Sequence, residues 1–191
     1  MPTRQTTPPA ALPVTREELK AHLRITSTAE DDLLDGCLAA AIDEIDGTGL
    51  LGRAMISASY TLTRGPAAAR DVELEIGPAQ SLEAIAFVKA DGSTVAGDIG
   101  DFALISDGER AFVRGDWPSG LGDRPDAISI TYRAGFGDTA AAVPATLRHA
   151  VKLLAAHRFE VRDEVVIGTV ATQIPLGVER LVNLNRVRVF G

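Results

Sequence analysis

The sequence predicts an α+β protein: a small helical core interrupted by an inserted antiparallel β region, with an extended C-terminal tail. Three observations predict it. Apolar residues recur at helical spacing before about Gly47 and again after Pro144. Between them, from about Ser57 to Ala134, the period of the apolar residues becomes two, as in half-buried strands. No helical pattern lies between those alternating segments, and parallel strands would need such crossovers, so the pairing is expected to be antiparallel, as a meander or a sandwich.

Residues 1–13 hold Thr3, Thr6, Thr7 and four prolines without an apolar stretch, the composition of a flexible arm rather than of a signal peptide. The first part of the helical core is expected over 14–55. It opens at Thr15-Arg16-Glu17-Glu18, where Thr15 can cap the helix and Glu18 can return to the Thr15 amide as a capping box. Leu19, His22 and Leu23 share a face of that short helix. Ser27 and Glu30 are spaced as a second capping box, opening a longer helix in which Leu34, Cys37, Leu38, Ala41, Ile42 and Ile45 repeat at helical spacing. Glu30, Asp31 and Asp32 fall in its first turn, where the helix dipole favours acids.

The β insertion is expected over 56–134. Tyr60 to Thr63, Val72 to Ile76 and Ile128 to Tyr132 alternate as strands do. Asp91-Gly92 and Asp107-Gly108 suit tight hairpin turns, because both residues of such a pair tolerate positive φ. The second part of the helical core is expected over 135–165, with Pro144 in a first-turn position and Leu147, Ala150, Val151, Leu154 and Ala155 on the apolar face. Residues 166–191 close the chain with a short helical candidate around Val178 to Leu184 and the run Arg186-Val187-Arg188-Val189-Phe190.

Composition narrows the function. Of 191 residues 46% are hydrophobic but only 5% aromatic, so the core must be mostly aliphatic. The net charge of −7 argues against a protein that grips duplex DNA, because such binding needs a basic surface that releases counterions. The single Cys37 can form no internal disulfide, and no apolar run approaches the ~18 residues of a membrane span. These features fit a protein made in a reducing cytoplasm, with no membrane association.

A search for catalytic chemistry assigns no catalytic residue, no cofactor and no metal. His149 and His157 are eight apart on one expected helix, whereas metal-binding pairs sit three or four apart. Cys37 lies within an apolar helix face and reads as a buried structural thiol. Gly135-Phe136-Gly137-Asp138 lacks the Gly-Lys-Ser/Thr ending of a phosphate loop, and reads as a turn that releases the last strand toward the helix at Pro144. Asp43, Glu44 and Asp46 fall mainly on a polar, solvated helix face.

Charge distribution is more informative. Residues 1–55 carry 5 basic and 9 acidic side chains, residues 56–134 carry 7 and 12, and residues 135–191 carry 7 and 5, so only the last segment is basic. After Glu179 come Arg180, Arg186 and Arg188 and no acid. Arg186 to Phe190 alternates arginine with valine and ends in an aromatic, a pattern that can pair as an added strand or dock apolar anchors on a partner. The same pattern also describes a frayed tail or a last strand of the domain itself.

The order of elements resembles a known family. Val14 to Ile25, then Glu30-Asp31-Asp32-Leu33-Leu34, then Gly49-Leu50-Leu51-Gly52-Arg53-Ala54-Met55 resemble the opening of the head-tail connector, or adaptor, proteins of long-tailed phages and gene transfer agents. Trp117-Pro118, Ile130 to Gly137, Val143 to Arg148 and Ile174 to Val178 are similar to the same family's later landmarks in the same order. Phe159-Glu160-Val161-Arg162-Asp163 stands where relatives often carry Tyr-Glu-x-Arg-Glu, keeping character more than identity.

The resemblance implies a structural role in a virion or phage-like particle assembled in the bacterial cytoplasm. Such connectors form rings, commonly of twelve copies, that bind beneath the portal protein and meet the next neck component, a stopper or tail terminator. DNA passes through their channel without tight or specific binding. Carried over, Arg180, Arg186, Val187, Arg188, Val189 and Phe190 are the expected portal-binding residues. Two alternatives are another neck component, and an enzyme or ligand-binding domain built on the β region.

Overall fold

The computed structural model describes residues 3–66, 71–161 and 175–186. It is α+β, with four helices and eight strands among those residues. The helices are α1 (Arg16–Leu23), α2 (Asp31–Ile45), α3 (Ala145–Glu160) and α4 (Leu176–Asn183), and the strands β1 (Arg4–Thr7), β2 (Ala58–Arg64), β3 (Asp71–Leu74), β4 (Ala79–Val88), β5 (Thr94–Gly97), β6 (Phe102–Ser106), β7 (Ala111–Gly115) and β8 (Ile128–Ala134).

The helical layer assembles around one aliphatic cluster. Leu19 of α1, Leu34, Leu38, Ile42 and Ile45 of α2, Leu147, Val151 and Leu154 of α3, and Val178 and Val182 of α4 are buried together. Their spacing of three and four residues puts each set on one helix face, and joining the faces removes them from water. The Thr15 capping box is present: the Thr15 hydroxyl accepts from the Glu18 amide at 3.2 Å, and the Glu18 carboxylate accepts from the Thr15 amide at 3.1 Å.

The second expected box does not form. α2 starts after Glu30 with no side-chain cap, while Ser27 Oγ accepts from the Ala29 amide at 3.1 Å. The Ser27 side chain closes a local turn two residues on, which removes it from the N3 amide it would have capped. Asp31 of the first turn instead engages α1, with Lys20 Nζ 2.6 Å from its Oδ1, and one turn on Asp35 Oδ2 lies 2.9 Å from Arg16 Nη1.

The β region forms two antiparallel sheets. One runs β1-β2-β8-β4-β5 and the other β3-β7-β6. They are not a simple meander, because β8 inserts between β2 and β4. The pairing of Ala58 with Ala134 brings the two ends of the β region side by side at the helical layer. Along β8, buried and half-buried residues alternate without exception, so Ile128, Ile130, Tyr132 and Ala134 enter the core. A second cluster of Tyr60, Leu62, Val72, Leu74, Ile85, Phe87, Val113, Ile130 and Tyr132 fills the β region. Phe102 of one sheet touches Phe87 of the other, with ring centroids 6.1 Å apart, and Trp117 closes on Phe102 at 4.9 Å. Both Asp-Gly turns occur: Gly92 and Gly108, between β4 and β5 and between β6 and β7, have φ of 86° and 90°.

Residues 4–7 depart from the expected flexible arm. They form β1, which pairs with β2 in the register Arg4–Thr61, Gln5–Tyr60 and Thr7–Ser59. Thr3 fixes its start, because its amide and hydroxyl donate to Glu75 Oε2 at 2.9 and 2.6 Å. The outer edge of β2 carries unpaired backbone groups that a neighbouring extended segment can satisfy, whatever that segment's hydrophobicity.

Candidate partner-binding surface

The basic end of the chain is presented by α4. Val178 and Val182 face the helical core, one turn apart, while Glu179 and Arg180 point to solvent. The last turn is held at several points. Asn185 Nδ2 donates to Thr146 Oγ1 of α3 at 2.8 Å and to the Leu181 carbonyl at 3.1 Å. Arg53 Nη1 donates to the Asn185 carbonyl at 3.2 Å, and Arg53 Nη2 to the Gly108 carbonyl at 3.0 Å. One guanidinium therefore ties the end of α4 to the β6–β7 turn. Its Cζ lies over the Phe136 ring, 5.1 Å from the centroid, and its Nε is buried without a hydrogen-bond partner among the described residues. Burial lowers the pKa of this guanidinium, and the charge of Glu109 opposes that shift.

Arg53 sits at the seam between the two layers. Ala54 N donates to the Gly77 carbonyl, Phe136 N to the Met55 carbonyl and Ser57 N to the Gly137 carbonyl, so the segment after α2 and the Gly135–Gly137 turn are stitched together. Met55 N also donates to Asp46 Oδ1 at 2.7 Å. Asp46 is thus not on a solvated face as expected. The turn after α2 directs it inward, and burial raises its pKa. Glu44 pairs with Arg158 of α3, while Asp43 is exposed.

Among the predicted site residues, Arg180 is exposed on α4 and Arg186 is exposed directly after the Asn185 anchor. Val187, Arg188, Val189 and Phe190 lie outside the described residues. Arg53 and Asn185 were missed as functional positions. Their only signal was the Gly52-Arg53 landmark, because the contact joins residues 132 apart.

His149 meets His22 across α1 and α3, with ring centroids 6.0 Å apart and planes at 85°, a contact the sequence did not indicate. His157 lines a pocket of about 490 Å³ with His22, Arg24 and Glu160. Among the described residues no three His, Cys, Asp or Glu side chains converge as metal ligands. Cys37 is half-buried rather than buried, since the buried face of α2 is made by Leu34, Leu38, Ala41, Ile42 and Ile45. No helix of the described residues is long and apolar enough to cross a membrane.

Comparison with known proteins decides the family. No protein-family model matches the chain, and no curated protein matches it. Solved structures do. A chain of the virion of a native gene transfer agent particle matches with a TM-score of 0.76 and 30% identity, covering 100% of this chain and 98% of that one. The chain belongs to the family of this gene transfer agent particle protein. A chain from the neck of an empty gene transfer agent particle, computed with C6 symmetry, matches with a TM-score of 0.75 and 28% identity over the same shares of both chains. Another, from the neck of a native particle computed with C12 symmetry, matches with a TM-score of 0.65 and 27% identity, again covering 98% of that chain. The anchored end of α4 offers two exposed arginines, Arg180 and Arg186.

Proposed function

We propose that this neck-type protein is the adaptor that forms a ring beneath the portal and joins the DNA-filled head to the tail. The observation that carries this reading is the likeness, over the full chain, to a component of a neck computed with C12 symmetry. A twelvefold ring also obeys sixfold symmetry, so the likeness to a neck computed with C6 symmetry is compatible with the same ring. The acid balance supports a channel role. A ring through which DNA slides should not hold phosphates, and a charge of −7 per subunit repels them.

In this reading Arg180, Arg186 and the segment Val187 to Phe190 reach the portal protein, while the opposite side of the ring meets a stopper or tail terminator. The clamp at Asn185 supports the assignment, because it gives the segment a defined point of departure. A second reading, in which the chain is a sixfold neck component further from the portal, rests on the C6 likeness alone.

Co-sedimentation with portal rings separates the two. Full-length protein should sediment with isolated portal rings, and a chain lacking Arg186 to Gly191 should lose most of that association while keeping its circular dichroism and melting transition. Unchanged association of the truncated chain would remove the tail's role. Failure of the full-length chain to bind portal rings would favour the second reading.

A further inference from the structure

The helical layer carries two open faces that complement each other. α3 packs against both α2 and α4, and each of those helices turns its apolar side inward. On α2 the open side is the line Asp32, Gly36, Ala39 and Asp43, all exposed and spaced to share one face, with the exposed Leu33 at its shoulder. On α4 it is Gly177 and Arg180, continued by Leu184 at the C-cap. Leu184 is 61% exposed, more than any other large apolar side chain among the described residues.

Charge separates the two faces. α2 carries five acids and no base. Asp31, Asp35 and Glu44 are engaged within the subunit by Lys20, Arg16 and Arg158, whereas Asp32 and Asp43 have no ion pair among the described residues. Arg180 has none there either. Shape agrees with charge. A Cβ on Gly36 would meet no atom within 4 Å, so nothing in the subunit accounts for a glycine that weakens the helix. With Ala39 beside it, Gly36 leaves a shallow depression between Asp32 and Asp43. Leu184 and Arg180 are one helical turn apart, and so are the depression and the acid at either end of it. A leucine seated there sets the arginine against an acid.

We infer that in the ring the α4 face of one subunit docks on the α2 face of the next, with Leu184 seated over Gly36 and Ala39 and Arg180 set against the flanking acids. Pairing α2 with a second α2 would oppose acid to acid, so the occupant is the unlike face. Two unlike faces on each subunit make a head-to-tail contact, the kind that closes into a ring. The inference rests on the ring reading above. It gives Arg180 a partner inside the ring and leaves portal contact to Arg186 and the residues after it.

The test uses assembled particles whose copies carry Cys37→Ser with Ala39→Cys and Leu184→Cys, both at exposed positions. Mild oxidation should link most copies into a ladder of covalent dimers, trimers and longer chains on a denaturing gel. Neither cysteine alone should link copies, and a dimer from either single variant would show that like faces meet and overturn the proposal. No ladder from particles whose neck still shows the ring by electron microscopy would overturn the docking while the ring stands. Particles without a ring of this chain would remove the ring reading and the docking with it. Charge reversal supplies a second measurement. Arg180→Glu should lower the copies per particle at least tenfold, and Asp32→Lys with Asp43→Lys in the same chain should restore them. Failure to restore them would overturn the proposal, because a contact of Arg180 with the portal alone is indifferent to α2.

Discussion

Arg53 donates from Nη1 to the backbone carbonyl of Asn185 at 3.2 Å, across 132 residues of chain. The same guanidinium reaches the carbonyl of Gly108 at 3.0 Å. It is thus the link between the end of the helical layer and a hairpin turn of the β region, immediately before the basic segment departs.

Replacing Arg53 tests that link. Lysine carries one ammonium in place of a planar fork and cannot span both carbonyls. Arg53→Lys and Arg53→Ala should each lower the stability of the folded chain by about 1–3 kcal/mol, since each leaves carbonyl groups without their donor. Thermal melting measures the loss. If Arg53→Lys melts like the parent, the fork geometry contributes nothing.

Glu18 joins two interactions that can be separated. One oxygen completes the capping box with Thr15, and the other pairs with Arg148 of α3, whose Nε also donates to the Pro13 carbonyl at 3.1 Å. Thr15→Ala should cost about 1 kcal/mol through the lost cap alone. A double-mutant cycle of Glu18→Gln with Arg148→Ala should yield a coupling of about 0.5–1 kcal/mol, because both side chains are partly open to water. Chemical denaturation supplies the four stabilities, and a coupling of zero would show that the pair is geometric only.

Asp46 makes stability depend on pH. Burial raises its pKa above the ordinary 3.8, against the opposing amides of Met55 and Gly47, with the charge of Asp43 adding to the rise. The folded state therefore binds this proton more tightly than the unfolded state. Between the ordinary value and the raised one, the group's contribution to stability falls as pH rises, and above that window the cost of the buried charge remains. Asp46→Asn keeps an oxygen for the Met55 amide and removes the charge. Its melting temperature relative to the parent should rise from about pH 4 to about pH 7. A difference independent of pH would contradict the burial argument.

Local rules were legible along the chain. The Thr15 box, the Asp-Gly turns, the strict alternation of Ile128 to Ala134 and the apolar faces of α2 and α3 depend on residues within a few positions of one another. Such patterns survive folding because the backbone period alone decides which side chains share a face. Ser27 shows the limit: its spacing to Glu30 satisfied the box pattern, yet a shorter turn to Ala29 captured the hydroxyl. The candidate site was half legible. Arg180 and Arg186 stood out as charges, but the anchor that positions them did not.

The amino-acid order by itself determined the α+β class, the helical segments on either side of the strands, the antiparallel pairing, and an acidic body with a basic end. Only the tertiary structure decided that Arg4 to Thr7 extend a sheet, that β8 lies between β2 and β4, that Asp46 turns inward, and that Arg53 meets Asn185. The physical reason is the same in each case. A free sheet edge, a buried carboxylate or an unmet carbonyl takes whichever partner the packing of distant segments brings within hydrogen-bonding distance, and that partner has no fixed separation along the chain.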